Sequence, residues 1–249
     1  MAKNWFTSKW LLPLLALTST LAWAEEPVVI DVDIENPPFM YAENGQAKGI
    51  YPELVKEAFS RMQVPVTLAA RPWKRVIEEI DQGEAGVAGI YSSEERRQKY
   101  DYSDVIMVEN IAVYFHQDNP VNYENMDSLN GKRVGTIRGW LYTDEFSAAD
   151  KAGKLTIDEV SGDEKNFQKL AAKRVDAVLA IEQSGNALLA TGNFPGVQMN
   201  AKYLSSAESY LAFNKSTKRQ DLLSKFNEAI AQMKADGSFD RIVAEAAKH

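Results

Sequence analysis

Val87-Ala88-Gly89-Ile90-Tyr91-Ser92-Ser93-Glu94-Glu95-Arg96-Arg97-Gln98-Lys99-Tyr100-Asp101-Tyr102-Ser103-Asp104 begins as a short apolar strand and turns into a charged helical segment. The strand reads from Gly86 to Ile90, and Ser92 or Ser93 supplies an N-cap with Glu95 early in the turn. A strand that feeds a helix N-terminus offers free backbone N–H groups and the positive end of a dipole, which suits an anion. Arg96 in the first turn adds a planar fork of donors matched to a carboxylate. The same residues also describe a capped surface helix with solvated arginines. The rest of the chain has to decide.

Outward from this stretch, strand and helix patterns alternate. Residues 28–32 form a β-branched strand that runs into Asp33-Ile34-Glu35-Asn36-Pro37-Pro38-Phe39, where the two prolines stop it. Asp33 and Glu35 lie two apart and share a face at the strand end. Asn44-Gly45 marks a hairpin turn, and a helix follows from Pro52 with Leu54, Val55, Ala58, Phe59 and Met62 on one face. A strand over 64–69 precedes an amphipathic helix with Trp73, Val76, Ile77 and Ile80 in phase, closed by Gly83. Such alternation implies a parallel, twisted α/β sheet.

Residues 106–115 form a long extended run with Glu109-Asn110 in its middle, suited to crossing between two lobes. The pattern then restarts. It runs through a strand at 133–137, the turn Arg138-Gly139-Trp140-Leu141, a helix at 162–173, a buried strand at 175–181 and a strand-to-helix junction at Glu182. Short strands at 196–199 and 210–213 and two apolar-striped helices complete the chain. The restart argues for two α/β lobes with a cleft between them as the ligand site.

Residues 1–24 stand apart from the fold: Lys3 and Lys9, an apolar run and Ala22-Trp23-Ala24 read as a cleavable secretory signal peptide. The expected location is therefore the periplasm. With no cysteine in the sequence, neither a lipoprotein anchor nor a disulfide is expected. Loss of the two signal lysines takes the formal net charge from −7 to −9, a balance ill suited to nucleic acid. Two histidines, His116 and His249, make a histidine-built metal site improbable, and no cofactor is expected.

Taken together, the chain resembles the extracellular solute-binding proteins of the polar-amino-acid class, the receptors of bacterial ABC importers. The likeness rests on Asp33 with Pro37-Pro38-Phe39, Gly49, Gly89 to Ser93 with Glu95-Arg96, and Asp101-Tyr102-Ser103-Asp104. Further pieces are Leu129 to Gly135, Arg174 to Val178 and Met233 to Phe239. The resemblance implies a two-lobed periplasmic-binding-protein-like fold, two α/β lobes joined by two hinge strands, with the solute trapped on closure. Lobe one would span 25–105 plus 210–249, lobe two 111–204, and the hinges would fall near 106–110 and 205–209. It also implies that Arg96 clamps the ligand carboxylate with help from Ser93, and that Arg97 stays on the surface. The implied partners are a small solute, an amino acid or related carboxylate, and an ABC permease in the inner membrane, with the receptor a monomer.

Departures from the family pattern bear on the ligand. Asn36 and Ile50 stand where ligand-stacking aromatics are usual, and Tyr91 replaces a small threonine. Ile181 occupies the position of the acid that holds the α-amino group, with Glu182 one residue later; a shift of one reverses the face of a strand residue. Arg138 and Trp140 give lobe two a bulky, partly basic lip. Asp33 or Glu35 could receive a cationic group, or be a solvated strand end. Trp140 is a cleft candidate, and Trp73 is in phase with a helix core. The rival readings are a periplasmic enzyme, such as a dehydratase of a cyclic carboxylic acid, and a sensor input for a membrane partner. An enzyme would need a positioned acid or base, for which Glu35, Glu182 or Tyr91 are nominees.

Overall fold

The structure, a computed structural model, describes Met1 and residues 26–248. The expected signal segment lies outside the described residues apart from Met1. No described helix is long and apolar enough to cross a membrane.

The chain opens with β1 (Val28–Asp33), β2 (Glu35–Asn36), the hairpin of β3 (Met40–Glu43) and β4 (Gln46–Lys48), then α1 (Ile50–Met62). β5 (Val66–Arg71), α2 (Trp73–Gln82), β6 (Gly86–Tyr91), α3 (Glu94–Lys99) and β7 (Tyr100–Tyr102) follow. Next come β8 (Met107–His116), β9 (Arg133–Ile137), α4 (Asp144–Lys151), β10 (Thr156–Val160), α5 (Asp163–Ala171), β11 (Ala177–Ile181) and α6 (Glu182–Ala190). β12 (Val197–Asn214), α7 (Gln220–Ala235) and α8 (Ser238–Ala246) finish the fold.

Strands run in the order β10-β9-β11-β8-β12-β6-β1-β5, with β7 added on β12. β1 pairs in parallel with β5 and β6, and β9 pairs in parallel with β10 and β11, so each lobe has the expected parallel core. The middle is different. β8 and β12 are antiparallel to one another, β8 to β11, and β12 to β6. β6 and β11 are buried along their whole length, which explains their continuous apolar runs.

The two short strands expected at 196–199 and 210–213 are parts of one 18-residue strand, β12. Its middle is polar and half-exposed, and register shifts follow Met199 and Tyr203. Backbone pairing with β8, which a hydrophobic pattern does not register, holds that stretch extended. β10 escaped the pattern for a similar reason, because only Val160 in it is buried. α1 starts two residues before Pro52, after Gly49, whose φ of 109° suits glycine.

Candidate functional site

β6 delivers the chain to Ser93, which caps α3: its Oγ accepts the Arg96 backbone N–H at 3.1 Å. The Arg96 guanidinium is drawn back across the strand end, and Nη1 donates to the Tyr91 carbonyl at 3.0 Å. Among the described residues no carboxylate pairs with it, and burial pushes its pKa down. A desolvated guanidinium whose only bond is to a carbonyl retains donors for an anion. Arg97 is exposed, bonds Ser92 and lies over the Tyr102 ring.

The opposite lobe meets this region through the turn after β9. Gly139, at φ 77°, lets the chain reverse so that Trp140 points into the gap. The Trp140 indole Nε1 donates to Asp33 Oδ2 at 3.0 Å, and the ring packs edge-on to Trp73 and Tyr91 at 6.1 and 6.3 Å. Trp73 Nε1 in turn donates to the Gly139 carbonyl at 3.1 Å. Trp73 is thus both core, as its helical phase implies, and part of the lobe contact. Beside Arg96, Trp140 leaves a cavity of only about 10 Å³ lined by Met40, Tyr91 and Glu109 among others. That is barely the space of one water, so a solute reaching Arg96 here requires Trp140 to move. Arg138 lies outside, exposed and 3.7 Å from Glu159.

Two larger interlobe cavities are present, and Trp140 lines the first. One, of about 440 Å³, is bounded by Ser93, Arg96 and Lys99 on one side and Tyr142 and Lys151 on the other. The second, of about 320 Å³, lies between Ile34, Glu35 and Pro37 and the facing Gly162, Asp163 and Ser184. The end of β1 and the short β2 bind lobe two at three points: Asp33 through Trp140, Glu35 through Ser161 at 2.6 Å and Lys165 at 3.0 Å, and Asn36 through Ser184 at 3.1 Å. Burial pushes Asp33 up to about 6, whereas the Ser161 hydroxyl, then Lys165, hold Glu35 below its ordinary value. A Cβ on Gly162 would stand 2.9 Å from the Glu35 backbone oxygen, so the lobes approach this closely only because residue 162 is glycine.

Tyr91 is buried, and its hydroxyl donates to Glu109 in β8, which also accepts from Tyr51. The Tyr51 hydroxyl lies 2.6 Å from that of Ser209 in β12. Glu109 is 1% exposed, and burial raises it to about 7 against the pull of the two tyrosine donors. Ile181, in the place of the amino-group acid, lines the small cavity, whereas Glu182 is not among its lining residues. Glu182 accepts from Asn110 at 3.1 Å and from Tyr203 at 2.9 Å, which turns it toward β8 and β12. The structure therefore brings Asp33, Tyr91, Arg96 and Trp140 together, with Ser93 and Asn36 at the edges, and leaves Arg138 and Glu182 apart. The sequence reading passed over Glu109 and Asp163 as site residues. A glutamate inside an apolar run was a signal for the first; an acid in a first helical turn is too common to have signalled the second.

Comparisons with known proteins agree with this architecture. The chain is 26% identical over 209 residues to the L-cystine-binding protein TcyJ of Escherichia coli (strain K12), covering 83% of this chain and 77% of that one. The solved structure of an ancestral arginine-binding protein bound to arginine matches with a TM-score of 0.77 at 25% identity, over 89% of this chain and 98% of that one. A histidine kinase sensor domain with similarity to periplasmic binding proteins matches with a TM-score of 0.79 at 20% identity, over 89% and 96%, a likeness of fold. Residues 28–248 match the description of the bacterial extracellular solute-binding proteins, family 3, and the chain belongs to that family.

Proposed function

We propose that this protein is an exported receptor that captures a small carboxylate-bearing solute, an amino acid as the leading identity, and delivers it to an ABC permease in the inner membrane. Arg96 carries the reading: a partly buried guanidinium between two lobes, with no carboxylate paired to it among the described residues, binds the solute carboxylate. Lobe one comprises residues 25–105 and 210–249, lobe two 111–204, and bending near 106–110 and 205–209 opens the cleft. Contacts from both lobes to one solute favour the closed form. The names of TcyJ and of the ancestral arginine-binding protein support an amino acid as cargo. The signal segment routes the chain to the periplasm, where it works as a monomer without catalysis.

A thermal-shift screen of the mature protein against amino acids, polyamines and small organic acids tests this reading. A ligand at about 100 times its dissociation constant stabilises the native state by roughly 2.7 kcal/mol, a rise of several degrees at this size. Arg96→Ala should remove the response to every carboxylate while the unliganded melting temperature stays within about 2 °C of wild type. An unchanged response takes Arg96 out of the site.

A further inference from the structure

Asp163 is 4% exposed, and neither of its carboxylate oxygens has a hydrogen-bond partner among the described residues. It is the first residue of α5, a place where an acid is ordinarily solvated or bonded to free backbone N–H groups. Here it does neither, and lines the cavity of about 320 Å³ between the lobes. Lys165, the cation lining that cavity, is committed to Glu35 and Ser161 at 3.0 and 2.6 Å. The charge that acts on Asp163 is that of Asp33, from the opposite lobe and of the same sign. Burial first, and Asp33 second, raise the Asp163 carboxyl to about 7. Asp33 is buried as well, its Oδ1 accepting the Glu35 backbone N–H and its Oδ2 the Trp140 indole N–H, so Oδ2 turns to a cation only as Trp140 moves. A buried acid left without any donor, as Asp163 is among the described residues, is costly in an arrangement that does not bring one.

We propose that Asp163 is a ligand-binding residue, and that with Asp33 it forms a two-carboxylate clamp, one acid from each lobe, for an ammonium or guanidinium group of the captured solute. This deepens, and rests on, the receptor reading. Arg96 holds the anionic end, and the cationic end lies on the Asp163 side of Trp140. The position of Ile181 as an apolar wall fits, because the acid it lacks is supplied from α5. A cation shared between opposite lobes also couples binding to closure, since neither acid alone gains the full interaction in an open cleft.

Titration calorimetry on the mature wild type and on Asp163→Asn, with L-arginine, putrescine, L-leucine and L-glutamate as probes, decides the matter. The expected result is binding of L-arginine or putrescine to wild type, and at least a tenfold loss of that affinity in Asp163→Asn. The variant should melt no lower than wild type without solute; if it fails to fold, Asp163→Ser and Asp33→Asn read the same loss. Binding of L-leucine or L-glutamate that Asp163→Asn leaves within twofold, with no response to L-arginine or putrescine, overturns the clamp and leaves the receptor reading standing. Cation affinity within twofold of wild type in Asp163→Asn also overturns it. Silence to all four probes overturns the clamp, and the wider solute screen then decides the receptor reading separately.

Discussion

Glu109 and Asp163 are both buried acids, both pushed up to about 7, and they lie on different parts of the interlobe region. Glu109 sits on β8 and is met by two tyrosine hydroxyls from lobe one, with Ser209 of β12 beside Tyr51. Asp163 sits at the start of α5 with no donor among the described residues. Equal desolvation therefore conceals opposite roles. The first acid is the acceptor of an internal network that ties α1 and β6 to the crossing strands; the second is an unmet demand for a donor. Burial says how expensive a carboxylate is, and its partners say what the expense is for.

Removing Glu109 should have the larger effect on the fold. Glu109→Ala leaves the Tyr91 hydroxyl without its acceptor in a dry region and Tyr51 with Ser209 alone, at about 1–3 kcal/mol for the orphaned group, a drop on the order of 5 °C in melting temperature. A drop under 2 °C in a thermal melt would make the two acids alike and dissolve the contrast. Asp163→Asn should do the reverse, with a sign set by pH. The Asp163 pKa rises from 3.8 to about 7 on folding, so the native state holds the extra proton between those values and stability falls as pH rises through that window. The variant cannot ionise, so its melting temperature relative to wild type should be several degrees higher at pH 8 than at pH 5. A difference that stays flat with pH would show that Asp163 is not desolvated.

Trp140→Ala removes the donor to Asp33 and the edge contacts to Trp73 and Tyr91, each contact worth about 0.5–1.5 kcal/mol. Without solute, small-angle X-ray scattering should then give a larger radius of gyration than wild type; an identical profile would mean that Trp140 does not hold the lobes together. The smallest effect belongs to Glu182→Gln. Its bonds to Asn110 and Tyr203 face the crossing strands, so solute affinity should stay within about twofold in calorimetry, a change of roughly 0.4 kcal/mol. A tenfold loss restricted to amine-bearing solutes would return Glu182 to the cleft and weaken the case for Asp163.

Where the chemistry is local, it was legible in the sequence. The Ser93 cap and the Arg96 backbone N–H are three residues apart, and the Gly83 and Asn44-Gly45 turns are complete within their own segments. The alternation that specifies two α/β lobes is likewise a property of neighbouring residues, because side-chain period and helix capping are set within a few positions. What the sequence left open is pairing at a distance. Asp33 meets Trp140 across 107 residues, Glu35 meets Ser161 across 126, and Asn36 meets Ser184 across 148. No periodicity encodes such contacts. Whether a carboxylate is solvated, satisfied or stranded depends on which other segments exclude water from it, and for Asp33, Glu109 and Asp163 the tertiary structure alone decided that.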